Sequence, residues 1–146
     1  MKRKIKLLKL LSWFKELQEE RSKVRVQHAL LNLQKLTEEK KLIEEEYRDS
    51  LQYLEKEKTF SGGEVKEWLY YLNTLLEFSQ IADNKIKVQK EHLELLKEEL
   101  KRRNQEKRLM EKLMKKTQVH FYIEEMKREL KEIDEITLLR KGRELA

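Results

Sequence analysis

Three histidines and several sets of adjacent carboxylates are the side chains here whose types could do chemistry. His28, His92 and His120 could ligate a metal, but none has a second His or Cys three or four residues away, the spacing that sets two ligands on one helical face. Folding the chain back at Gly62 brings His28 within about a turn of His92, a two-His set that still needs a carboxylate. Solvated histidines flanking a helical seam explain the same residues, and no metal site is expected. Glu124 with Glu125 and Asp134 with Glu135 could be called acid and base pairs. On an exposed helix, no difference in burial separates their pKa values, so a solvated face is expected. The chain has no G-x-x-x-x-G-K-[ST], no G-x-G-x-x-G and no Ser, His and Asp set at a recognisable turn. We therefore expect no catalytic residue, no cofactor and no enzymatic activity.

The remaining candidates are surfaces. Lys2, Arg3, Lys4, Lys6 and Lys9 open the chain without an acid, and Lys101, Arg102, Arg103, Lys107, Arg108, Lys112, Lys115 and Lys116 outnumber Glu106 and Glu111. Such clusters could bind phosphates through counterion release, but Glu and Lys alternate elsewhere and no base-reading motif occurs, so a protein partner is favoured over nucleic acid. Residues 2–17 could also lie on an anionic membrane with Trp13 and Phe14 at the interface. Pairing with a second helix is expected to hide that apolar face, which argues against direct membrane insertion. Trp68, Tyr70, Tyr71 and Phe78 form the densest aromatic cluster; adjacent residues 70 and 71 cannot both face a seam, so at least one should be exposed, as at binding hot spots.

The elements that carry these residues follow from composition. The 146 residues are 42% charged and 38% hydrophobic, with no Pro, no Cys, three Gly and a net charge of +6. That supplies an apolar seam and little more, in the residue types of long helices. Absence of Cys excludes disulfides and thiolate metal sites and fits a reducing cytosol. The basic, apolar amino terminus lacks the uninterrupted core and cleavage site of a signal peptide, and no window approaches a membrane span, so a soluble intracellular protein is expected.

In the first arm Ile5, Leu10, Phe14, Leu17, Val24 and Leu31 recur at heptad-like spacing, and the stripe resumes with Leu33, Leu36, Ile43, Tyr47, Leu51 and Leu54. The phase slips once, near Leu31 to Leu33, which predicts an irregular coil. At KTFSGGE the helical pattern lapses; Gly can supply the positive φ that ends a helix, and Ser61 can cap the next. The second arm reads Val65, Leu69, Leu72, Leu76, Ile86, Leu93 and Leu100, then Ile123, Met126, Leu130 and Ile133. The predicted fold is all-α, a single long two-helix antiparallel coiled-coil hairpin over residues 1–146, with helices over about 3–58 and 65–141 and a turn over about 59–64. A turn at Gly62 sets Met1 opposite Ile123, so the end of the second arm overhangs the first and exposes Met126, Leu130, Ile133 and Ile136 to a partner.

On these features the chain resembles the FliJ family of flagellar export proteins. The carriers are IKLLKLLSWFKELQEE near the amino terminus, Glu46-Tyr47-Arg48 before the Gly turn, Trp68 and Tyr71 after it, and ELKEIDEITLLRK, with Glu132, Asp134, Glu135 and Arg140 in an acidic-then-basic ending. Ile5 stands where the family's amino-terminal Phe-x-Leu signature begins. The resemblance implies a non-catalytic, central-stalk-like rod of the type III export apparatus that binds the FliI-like export ATPase ring and promotes its assembly and activity. It also implies links to the export-gate protein FlhA and to export chaperones, in the cytoplasm and peripherally at the inner membrane of the flagellar base. It places Ile5, Leu10, Lys112, Lys116, Met126, Leu130, Glu132, Ile133, Asp134 and Glu135 at the ATPase-binding end, and Tyr47, Trp68, Tyr71, Leu75 and Phe78 on a gate or chaperone surface. A generic coiled-coil scaffold and an injectisome stalk protein are the alternatives, with a nucleic-acid-binding hairpin behind them.

Overall fold

Lys, Glu, Leu, Gln and Arg keep most of their rotamer freedom in a helix, and no proline interrupts them. The computed structural model describes residues 2–57 and 59–145, and they form two helices, α1 (Lys2–Lys56) and α2 (Gly62–Leu145). The two pack against each other as an all-α helical hairpin. The expected pairing of Met1 with Ile123 and the expected helix end at Lys58 lie outside the described residues.

The start of α2 is set by Ser61, not by a left-handed glycine. The Glu64 N–H donates to Ser61 Oγ at 3.2 Å, and the Val65 N–H donates to the Ser61 carbonyl at 3.1 Å. That is an N-cap, with the Glu64 carboxylate at the positive end of the helix dipole. Gly62 and Gly63 are the first residues of α2; neither has a positive φ, and beyond the local helix backbone no heavy atom lies within 4 Å of where a Cβ would stand. The expected positive-φ stop is therefore absent, and α2 begins at Gly62 instead of Val65.

The chain divides into two compact units, residues 21–100 and residues 1–20 with 101–146. In the unit of residues 21–100, buried Val26, Ala29 and Leu93 form a core, and Leu33, Leu96 and Leu100 pack on it. Leu72, Leu75 and Ala82 are also buried. Arg25 Nη1 lies 3.3 Å from Glu99, as the expected register requires. In the other unit Leu8 is buried, Ile5, Met110, Met114 and Phe121 are half-buried, and the seam between them is polar.

The seam keeps the expected Ile5, the positions from Leu33 to Leu54, and Leu72, Ile86, Leu93 and Leu100, but departs from the expected stripe elsewhere. On α1 the covered positions are Ile5, Leu8, Ser12, Lys15, Glu19, Ser22, Val26 and Ala29, and the three-four alternation continues without interruption to Leu54. Leu10, Phe14, Val24 and Leu31 are exposed, Leu10 at 60% and Leu31 at 63%. The apparent slip is a change of face: Leu10, Phe14, Val24 and Leu31 stand two residues, roughly 200°, from the seam, while Ile5, Leu33, Leu36, Ile43 and Leu54 belong to it. On α2 the expected Leu72, Ile86, Leu93 and Leu100 lie in the seam with Trp68 and Leu75, and the expected Leu69 and Leu76 are exposed.

Candidate functional site

The polar part of the seam contains groups the apolar pattern could not reveal. Glu19 is only 2% exposed, accepts from Asn104 Nδ2 at 3.1 Å and stands 3.6 Å from Lys107 Nζ. Glu106 pairs with Lys15 at 3.2 Å and with Arg103 at 3.3 Å, and Arg103 also donates to Gln18 at 3.4 Å. The hydrogen bond from Lys15, with the two cationic charges, holds the Glu106 carboxyl below the usual range, against the opposing effect of desolvation. The only signal in the chain was the heptad position of Lys15 and Glu19, where a hydropathy reading passes over charged residues. Such a matched layer favours one register and orientation over others.

The residues expected at the ATPase-binding end separate into two sets. Ile5 is half-buried in the seam whereas Leu10 is outside it, so they do not share a surface. On α2, Lys112, Lys116, Val119, Ile123, Met126, Leu130 and Ile133 recur at four and three and are all exposed. Lys112, Lys116, Val119 and Ile123 each stand two residues after a covered position (Met110, Met114, Thr117 and Phe121), so that part of the stripe faces away from α1, and Met126, Leu130 and Ile133 continue its phase. Asp134 flanks it, and Glu132 and Glu135 are exposed on other sides of the helix. From Met126 to Glu144 every residue is exposed. The charged residues Glu124, Arg128, Lys131 and Glu135 occupy the continuation of the seam phase.

The expected gate or chaperone surface is also divided. Leu75 is 7% exposed in the seam, and Tyr47 and Trp68 are half-buried there by their heptad positions. This corrects the expectation for Leu75, which has no free face to offer a partner. Tyr71 and Phe78 are exposed, as is Tyr70. Tyr71 donates its O–H to Glu46 Oε1 at 2.8 Å, and that bond, with desolvation and the carboxylate charge, raises the phenol above its ordinary value. Trp68 stands 5.3 Å from the Tyr53 ring and 5.9 Å, edge-on, from Tyr71. Glu46, Glu67, Trp68 and Tyr71 line an open cleft of about 400 Å³.

His28 and His92 line another shallow cleft, of about 530 Å³, with Asn32 and Gln89; His28 Nδ1 is 3.4 Å from Asn32 Nδ2. His120 lies 4.0 Å from Glu124. Among the described residues no three metal-ligating side chains converge, and no helix is long and apolar enough to cross a membrane. A scan against protein-family models, a search of curated proteins and a search of solved structures each returned no match.

Proposed function

We propose that this chain is a non-catalytic component of a flagellar type III export apparatus, binding the export ATPase ring as a central-stalk-like helical hairpin and promoting its assembly and activity. The observation that carries this reading is the exposed stripe of α2 from Lys112 to Ile133, cationic at one end and apolar at the other. An apolar helical stripe with acidic and basic flanks suits insertion among the subunits of a ring, where unequal contacts bias nucleotide state without chemistry in this chain. Tyr71 and Phe78 offer exposed aromatic contacts to the gate protein FlhA or to export chaperones. Peripheral association with the inner membrane at the flagellar base follows from those partners.

The test is titration of the flagellar export ATPase with this chain while ATP hydrolysis and ring formation are followed. Stimulation is expected to saturate near one chain per ring, and Leu130→Asp with Ile133→Asp is expected to abolish it. Stimulation that survives this double substitution would remove the stripe from the mechanism. The second stripe on each helix also favours a generic scaffold that self-associates through it. Concentration-dependent assembly with no ATPase effect would select that reading.

A further inference from the structure

The hairpin was expected to conceal the apolar side of the amino-terminal helix, and the structure leaves it uncovered. Within the unit of residues 1–20 and 101–146, α1 turns Ile5, Leu8, Ser12 and Lys15 toward α2. Leu7, Leu10, Leu11, Trp13 and Phe14 remain exposed, Trp13 at 59%. At about 100° per residue these five side chains fall within one arc of roughly 160°, directed away from α2, and the exposed Arg3 and Lys6 stand in the same arc at its amino-terminal end. The first acid of the chain is Glu16, so every charge before it is positive: Lys2, Arg3, Lys4, Lys6, Lys9 and Lys15.

We propose that this outward face of α1 seats on an anionic lipid surface. Three features favour lipid over a helical partner. A docking helix is met by flanks of mixed sign, whereas over residues 2–14 the arc is bordered by Lys2, Lys4 and Lys9 with no acid, which complements acidic headgroups. The Lys and Arg stems can run along the apolar side chains and place their charges at headgroup level. Trp13 and Phe14 supply the aromatic rings that suit the interface between headgroups and acyl chains. With α2 on the opposite side of α1, the arc can approach a flat surface without opening the seam.

This binding does not depend on a flagellar role, and the test uses the full chain with vesicles and no ATPase. Sedimentation with vesicles of phosphatidylcholine containing about one third phosphatidylglycerol is expected, with little on phosphatidylcholine alone. The bound chain's tryptophan emission should shift to shorter wavelength, and Trp13→Phe should remove that shift. Lys6→Gln with Lys9→Gln should weaken partitioning about 30-fold, from about 1 kcal/mol for each charge near the surface. Leu7→Glu with Phe14→Glu should abolish binding while helicity is retained, since both residues are exposed. No sedimentation with mixed vesicles, or sedimentation unchanged by Leu7→Glu with Phe14→Glu, overturns the proposal. If the chain ignores vesicles but that double substitution converts a dimer to a monomer, the face belongs to a second copy and the lipid assignment falls. Neither Leu7 nor Phe14 is placed at the ATPase-binding end, so a negative vesicle result leaves the ATPase reading standing, and a negative ATPase result leaves this one.

Discussion

Glu19 is the residue whose environment departs furthest from what its type prefers, since glutamate is seldom buried without a partner. Asn104 and Lys107 supply that partner, so truncating the carboxylate leaves both donors without it in a half-buried seam. Glu19→Ala is expected to destabilise the fold by about 1–3 kcal/mol, measured by denaturant unfolding. Joint replacement of Glu19, Asn104 and Lys107 by leucine should recover that loss while weakening the preference for one register. Glu106 makes a second prediction at this scale. Its folded-state pKa lies below the ordinary value, so its pairing stabilises the fold above the ordinary carboxylate range and loses that effect as pH falls through the lowered value. The melting temperature should therefore decline on acidification, and Lys15→Met should flatten that decline as pH falls through and below the ordinary carboxylate range. Tyr71 behaves in the opposite sense: its raised pKa means that its bond to Glu46 persists below the ordinary phenol value and is lost as pH rises through the higher one.

At the scale of the element, the turn and the seam differ in how well they could be read. Two helices and a break at Gly62 were legible because proline is absent and the glycine pair stands alone between long charged stretches. The manner of the break was not, because glycine tolerates both signs of φ and composition alone cannot distinguish a left-handed stop from a first helical turn. Ser61 decides the matter through its bond to the Glu64 N–H. Ser61→Ala should cost about 1 kcal/mol through loss of the cap. Gly62→Ala or Gly63→Ala should raise stability by about 0.4–1 kcal/mol, because a helical φ without nearby atoms accepts a methyl group and the unfolded chain loses freedom. A positive-φ turn would give the opposite sign, so one melting comparison separates the two. The phase of the α1 seam was harder to read. Leu10, Phe14, Val24 and Leu31 form a stripe as regular as the buried one and more apolar over the first three heptads. Partner matching chose the other: Lys15 and Glu19 find Glu106, Lys107 and Asn104 on α2, and the chosen phase alone runs on into Leu33, Leu36 and Leu54 without a slip.

For the molecule as a whole, the exposed α2 stripe was legible because Met126, Leu130 and Ile133 stand beyond the expected reach of α1. Its orientation away from the seam was not, since that depends on the phase of the pairing. The two units also hold their helices together by different means, and stability should follow. Residues 21–100 bury Val26, Ala29, Leu72, Leu75, Ala82 and Leu93. In the other unit Leu8 is the buried apolar residue among those described, and the seam relies on Glu19, Glu106 and their cationic partners. Apolar burial contributes about 25 cal/mol per Å², whereas exchanging water for ion pairs in a partly wet seam contributes little net free energy. Native-state hydrogen exchange should therefore proceed in steps. Amides of residues 126–144, which no second helix covers, should exchange first, those of residues 5–19 and 103–121 next, and those around Val26, Ala29 and Leu93 last. Raising salt from low to molar concentration should accelerate the middle group selectively, since screening weakens the charged layer and leaves the apolar core in place. Uniform exchange across both units, or a salt effect on the residues around Leu93 equal to that around Glu106, would show that the charged seam does not govern opening.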